Sequence, residues 1–494
     1  MANEVRVRYA PSPTGMPHIG NIRTAMFNWL FARHHGGKFV VRIEDTDQER
    51  LVPGAVDGIL DGLEWLDIDW DEGPRVGGDF GSYFQSERLP LYHAEAERLI
   101  AQGDAYRCYC TRERLVELRS RQERDKVALG YDGRCKHLGG GERRILEDEG
   151  APYVVRFAMP DSGITHLHDL IRDDVEWQNE LVDDFVLLKS DGFPTYHLAV
   201  VTDDHFMEIS HVLRAEEWLS SAPRHLQLYR ALGYEPPEHG HLPMILGPDR
   251  AKLSKRHGAT SILEYRDDGF LPEALRNFMV LLGWSLDDKT EVMPIETITE
   301  NFTLDRVGKP AAIFDREKLS WMNGVYIREM TAEALADAML PFLEQGLPSN
   351  LLPVDREYLL SIVPLVQERI KVLTEAPEMV SYFLEEQPVY DSANLVQRGM
   401  TEEETVRALE RSILALGDCD FSTEALEGLL RSLGEELELT PRRFFGTLRW
   451  AATGRNVSPP LFETLEVLGR ERVGPRLQWA LDSLSGKERI GSGV

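Results

Sequence analysis

The sequence predicts an α/β fold with an α+β insertion, followed by an all-α C-terminal half, and three observations carry that expectation. An alternating apolar run at residues 5–9 breaks into a Pro- and Gly-rich turn and then a helical pattern over 22–33. Short apolar strands and helical stretches alternate to about residue 105, give way to a more polar segment, and resume with 184–189 and 196–201; this is the rhythm of a sheet covered by helices. From residue 331 onward nearly everything reads as helix punctuated by Pro and Gly, as in helical bundles.

Length and composition bound the rest. A chain of 494 residues is too long for one core, so several domains are expected. A hydrophobic content of 42% and a charged content of 28% belong to the soluble globular class. The start, Met1-Ala2-Asn3-Glu4, has no cationic run and no apolar segment behind it, which argues against secretion. No apolar run approaches the roughly 20 residues of a membrane span. Of four cysteines, three crowd into one segment, pointing to a metal or to chance rather than to a disulfide framework. A cytoplasmic enzyme without a membrane partner fits best. The formal net charge of −28 opposes a polyanionic partner. Screening confines charge effects to roughly 8 Å at physiological salt, so such a partner requires a local basic face on an acidic body.

The first element holds the strongest signal. A strand that breaks into a turn and then a helix presents free backbone N–H groups and a positive dipole end, where α/β proteins hold phosphate. His18 and Gly20 stand where that helix begins. An imidazole there can donate to phosphate oxygens, and a residue without Cβ lets a flat adenine approach the backbone. The next strand, 38–43, ends in Glu44, at the edge where open sheets bind ligands; a carboxylate facing water is the plainer alternative. Cys108-Tyr109-Cys110 and Cys135-Lys136-His137 form a Cys₃His set suited to a closed structural Zn²⁺ site, with unbound thiols and a surface histidine as the alternative. Far downstream, Lys252-Leu253-Ser254-Lys255-Arg256 places three cations on a short polar loop. Such a loop can neutralise a triphosphate and the charge that develops as pyrophosphate leaves, although a lysine-rich loop is commonly only a solvated face. Residues 270–279 have amphipathic helical spacing with Pro272 near the first turn. In 441–450, Arg442, Arg443 and Arg449 alternate with Phe444, Phe445 and Trp450, the mixture of charge and rings that single-stranded bases require; a surface helix with a packed aromatic side is the alternative.

Together, residues 8–20 and 252–256 resemble the HIGH and KMSKS signatures of class I aminoacyl-tRNA synthetases, here written Pro17-His18-Ile19-Gly20-Asn21 and Lys252-Leu253-Ser254-Lys255-Arg256. With Arg42-Ile43-Glu44-Asp45-Thr46-Asp47, Phe193-Pro194-Thr195-Tyr196-His197 and Leu213-Arg214-Ala215-Glu216-Glu217-Trp218, the resemblance narrows to the glutamyl-tRNA synthetase family. It extends, more weakly, to the C-terminus. It implies a Rossmann-type catalytic domain in 1–107 and 193–260, and between them an insertion, 108–192, that grips the acceptor end of tRNA. A connecting segment, 261–330, and an α-helical anticodon-binding region, 331–494, complete the implied division.

The implied reaction is ATP-dependent ligation of L-glutamate to tRNA(Glu) through a glutamyl adenylate, with ATP carried as its Mg²⁺ complex. A monomer is expected. The resemblance assigns Arg8, Ser12, Glu44, Tyr196 and Arg214 to glutamate, the two arginines reading its carboxylate and Glu44 its amino group. It assigns His18, Gly20, Glu217 and Lys255 to ATP and keeps Lys252 and Lys255 on the departing pyrophosphate. Asp47 and Arg50 are expected to be structural or to face tRNA. Gln367 and Arg369 lie where the family reads the last anticodon base, so charging of tRNA(Gln) stays open as an alternative. A non-enzymatic RNA-binding module is the distant one.

Overall fold

The structure is a computed structural model that describes residues 4–254 and 261–484; Lys255, assigned to ATP, and Arg256 lie outside them. The chain forms two compact units, Met1–Arg266 with Pro272–Arg316, and Asp267–Leu271 with Glu317–Val494.

In the first unit, strand Arg6–Tyr9 pairs in parallel with Lys38–Val41, setting Arg8 opposite Val40. Both strands are buried on nearly every residue, as parallel strands covered on both faces must be. The connecting helix, Ile19–His34, buries Ile22, Met26, Phe27, Leu30 and Phe31, and full burial of each such side chain is worth roughly 1.5–3 kcal/mol. The Ser210 N–H donates to the Arg6 carbonyl at 2.9 Å, which brings strand His211–Ala215 alongside. That strand pairs in parallel with Glu238–Leu242, and Glu238–Leu242 pairs in parallel with Ile164–Asp169 where Asp169 faces His239. Asp173–Gln178 closes this four-stranded sheet as the antiparallel arm of a hairpin.

A second, antiparallel sheet runs Ala105–Cys108, Val154–Phe157, Val186–Leu188. Helices Arg112–Asp125 and Gly140–Asp148 lie between its first two strands in the chain. The apolar run at 196–201 continues as helix Tyr196–Phe206, buried from Leu198 through Asp204. A helix buried on every side has no polar stripe, so its pattern does not tell it from a buried strand. Leu198 and Val201 pack with Tyr92, Leu99, Phe157, Leu187 and Leu228 in one apolar cluster.

The second unit is helical: Ala332–Gly346, Arg356–Gln367, Ala376–Leu384, Glu402–Gly417, Thr423–Glu436, Pro441–Thr453 and Leu461–Leu484. Thr331, Asp355, Thr401 and Ser422 cap four of these with side-chain oxygens. The acidic run Glu402–Glu404 occupies the first turn behind Thr401, with Glu404 closing a capping box. No described helix is long and apolar enough to cross a membrane.

Candidate active site

His18 caps the helix Ile19–His34. Its Nδ1 accepts the Gly20 N–H at 3.1 Å, so the proton of the neutral ring sits on Nε2. Burial first, and then the charge of Lys252, hold its pKa below the usual histidine value. A Cβ on Gly20 would stand 3.3 Å from His18 Nδ1, so any side chain there crowds the ring. His18 bridges Ser261, and the Ile262 N–H donates to the Pro17 carbonyl at 3.1 Å. The chain that leaves the second signature therefore comes back to the first. Lys252 pairs with Glu217 at 2.5 Å.

A cavity of about 550 Å³ opens at the C-terminal end of strand Arg6–Tyr9. Arg8, Ser12, Glu44, Tyr196, Arg214 and Glu217 line it, as do Asp47 and Arg50, which are ion-paired with each other. His18, Gly20 and Lys252 are not part of that lining. Beneath it lies a buried ionic network. Asp204, from the last turn of helix Tyr196–Phe206, accepts from Arg8 Nε at 3.2 Å and Arg42 Nη1 at 2.8 Å. Arg42 Nη2 reaches Glu44 at 3.2 Å, and Asp203 takes Arg88 Nε at 2.7 Å and the Tyr92 hydroxyl at 2.8 Å. Arg8, Arg42 and Arg88 thus face three carboxyl groups, those of Glu44, Asp203 and Asp204. Burial pushes the Glu44 carboxyl up to about 7, with Arg42 and Arg8 pulling it back. Burial also opposes ionisation of Asp204, but Arg8 and Arg42 outweigh it and its pKa lies below the ordinary range.

Arg214 is held differently. Its Nε donates to His241 Nε2 at 3.0 Å, and its Nη1 to the Tyr196 hydroxyl at 3.0 Å and His225 Nδ1 at 3.2 Å. Its Nη2 is buried and has no hydrogen-bond partner among the described residues. A buried guanidinium nitrogen without such a partner, on a residue that lines a cavity, marks a candidate anion site. Sequence reasoning missed Asp203, Asp204, Asp169, His225 and His241. The available signals were an Asp pair ending an apolar run and the His-Gly-His alternation of strand Glu238–Leu242.

The thiols of Cys108, Cys110 and Cys135 converge, with their sulfurs within 4.8 Å of one another. Tetrahedral zinc with Zn–S bonds of about 2.3 Å sets sulfurs about 3.8 Å apart, so the trio fits that ion. His137, expected as the fourth ligand, does not join this group. Cys135 and His137 share the 3₁₀ turn Arg134–His137, whose three residues per turn direct side chains two apart to different sides. Instead the Tyr131 hydroxyl lies 3.4 Å from the Cys108 sulfur and 3.5 Å from that of Cys110.

In the helical unit, Gln367 Nε2 donates to the Ile327 and Met330 carbonyls at 2.9 Å each, so its amide nitrogen holds the fold. Arg369 is exposed. Arg442 is exposed too, whereas Arg449 Nη1 is committed to Ser458 and Pro459. The 441–450 stretch is sorted by helical period, with Phe444 and Leu448 buried and Trp450 lining a cavity of about 500 Å³ beside Arg455. Arg443 packs against Gly399. Arg455 stacks on Tyr382 and Arg472 on Tyr358.

A helix start at His18 with Ser261 bridged to it, and a cavity lined by two buried arginines, fit the class I tRNA synthetase resemblance. The family model for the catalytic domain of class I tRNA synthetases (E and Q) matches residues 4–321, and that for an anticodon binding domain matches 334–481. The glutamate–tRNA ligase of Dehalococcoides mccartyi strain CBDB1 is 55% identical over 489 residues, 98% of this chain and 99% of that protein. That of Moorella thermoacetica is 47% identical over 490 residues, 98% of this chain and 100% of the relative. The crystal structure of a glutamate tRNA ligase from Elizabethkingia meningosepticum CCUG26117, in complex with its amino acid, matches with a TM-score of 0.89 at 35% identity, covering 98% of this chain and 100% of that one. The chain belongs to the glutamate–tRNA ligase family.

Proposed function

We propose that this chain ligates L-glutamate to tRNA(Glu) in two steps. An oxygen of the glutamate α-carboxylate attacks the α-phosphorus of ATP and pyrophosphate leaves; the terminal ribose hydroxyl of the tRNA then takes the acyl group from the adenylate and AMP departs. No protein nucleophile is required, so catalysis is positioning and electrostatics. Arg214, which lines the cavity and has a buried nitrogen, Nη2, without a partner among the described residues, carries this reading. Arg214 and Arg8 receive the side-chain carboxylate of glutamate, Glu44 its amino group, and Ser12 and Tyr196 form walls. ATP, as its Mg²⁺ complex, sits at the helix start with His18, Gly20 and Glu217, while Lys252 and Lys255 neutralise the pyrophosphate. The segment 108–192 meets the acceptor end, and the helical region meets the anticodon through exposed cations such as Arg369 and Arg442. The enzyme is a monomer working in the cytoplasm.

The Lys255→Ala variant should lose adenylate formation, read as glutamate-dependent ATP–pyrophosphate exchange in the presence of tRNA, while its unfolding curve stays that of the parent; normal turnover would remove Lys255 from the mechanism. Charging assays on purified tRNA(Glu) and tRNA(Gln) are expected to show glutamate on the former only. The metal reading assigns structural Zn²⁺ to Cys108, Cys110 and Cys135 with Tyr131 completing the set, which would staple the loop after strand Ala105–Cys108. Emission spectroscopy should find zinc lost from Tyr131→Phe and retained in His137→Ala; the reverse pattern restores His137 as a ligand.

A further inference from the structure

The side chains around Arg214 form a shell for which the proposed reaction has so far supplied no task. His241 is fully buried, and its Nδ1 lies 2.5 Å from Asp169 Oδ2. A carboxylate can only accept, so His241 carries its proton on Nδ1 and offers a lone pair on Nε2, where Arg214 Nε donates. His225 does the same from the other side. Its Nδ1 accepts from Arg214 Nη1, leaving its Nε2–H for His197 Nδ1 at 3.0 Å. Tyr196 contributes a hydroxyl oxygen. Every hydrogen bond that fixes this guanidinium therefore ends on an uncharged atom, and the nearest carboxylate of this shell, Asp169, stands one imidazole away.

Both rings are kept uncharged by their surroundings. Burial, and after it the charge of Arg214, hold His225 well below its ordinary pKa. Burial leads for His241 also; Asp169 pulls the other way, but the pKa stays lowered. A side chain that orients a cation without cancelling its charge leaves the full attraction for an incoming anion. A carboxylate in the same place would answer Arg214 internally, and a neutral amide ligand would then compete on better terms.

Resting on the reading of the cavity as a glutamate site, we propose that His241 and His225, set by Asp169 and His197, are positioning residues that present Arg214 as an uncompensated cation and thereby select glutamate over glutamine. Asp169 comes from the hairpin strand Ile164–Asp169, outside the two signatures and the motifs between them. Its Oδ1 separately accepts from the N–H groups of Ile171, Arg172 and His241. Only Oδ2 addresses the ring.

The test uses a pair of nearly isosteric variants of the full chain, His225→Asn and His225→Asp, which place a neutral or an anionic oxygen where Nδ1 now accepts. Kinetic constants for glutamate, glutamine and ATP are measured beside the parent. His225→Asn should keep the glutamate-to-glutamine ratio of kcat/KM within about threefold of the parent. His225→Asp should raise the glutamate KM at least about tenfold and lower that ratio by a similar factor, with the ATP KM unmoved. Equal ratios in both variants and the parent would overturn the proposal. Should either variant fail to fold, Asp169→Asn decides. Its Oδ1 keeps the backbone donors, but its amide N–H forces His241 to protonate Nε2 against Arg214 Nε–H. The glutamate KM must then rise at least about fivefold, and an unchanged value refutes the shell. A parent enzyme without glutamate-dependent charging would instead refute the reading of the cavity; normal charging with unmoved ratios refutes this inference alone.

Discussion

Arg8 and Arg214 line one cavity and are held in opposite ways. Arg8 sits on a carboxylate, Asp204, inside a network where three arginines meet three carboxyl groups. Arg214 rests on two imidazoles and a phenol, and one of its nitrogens has no hydrogen-bond partner among the described residues. The first arrangement settles its own charge and stiffens the floor of the site; the second keeps its charge available. Buried ion pairs contribute little net stability once desolvation is counted, yet breaking one is costly. Removing Arg8 should therefore damage the fold as well as binding, whereas removing Arg214 should damage chiefly binding.

The largest expected effect lies at the open end of that contrast. Arg214→Ala should lower kcat/KM for glutamate about a hundred- to thousandfold, with the ATP KM nearly unchanged, in steady-state charging assays. A greater binding loss in Arg8→Ala would reverse the comparison. Next comes the closed end: Asp204→Asn strands Arg8 and Arg42 and should cost about 3–5 kcal/mol in denaturant unfolding. Because the Asp204 pKa is depressed, its contribution is present above its unfolded value near 3.8 and disappears as pH falls through the folded value. Acid unfolding of the parent should therefore begin at lower pH than that of a variant already lacking this carboxylate. The smallest effect belongs to Glu44, which accepts from Arg42 at the edge of the same network. Its folded pKa is raised, to about 7 from 4.5, so its stabilisation is complete below about pH 4.5 and is lost as pH climbs to about 7. Glu44→Gln should flatten the stability profile in that window; an unaltered slope would show that Glu44 is ionised throughout.

Much of this was legible in the chain and some was not, for a physical reason. The helix start at His18 and Gly20 and the lysine loop announce themselves because each is a contiguous stretch whose chemistry is local. Arg8, Glu44, Tyr196 and Arg214 came from resemblance, and all four line one cavity. Their supports were invisible. Asp204 is 196 positions from Arg8, and Asp169 is 72 from His241; nothing in either neighbourhood says that a partner lies across the fold. The Asp203-Asp204 pair reads as the polar end of a helix, but that helix is buried through Asp204. The fourth position at the thiol cluster shows the same limit. Spacing favoured His137, whereas the tight turn at Arg134–His137 left Tyr131 beside the sulfurs.

The hydrogen bond from Gly20 to His18 Nδ1 reaches further than a helix cap. With Nδ1 fixed as an acceptor, the uncharged ring carries its hydrogen on Nε2, and burial and the charge of Lys252 favour that uncharged form. If His18 meets phosphate as proposed, it does so as an uncharged donor and leaves the positive charge at that end of the site to the neighbouring lysine.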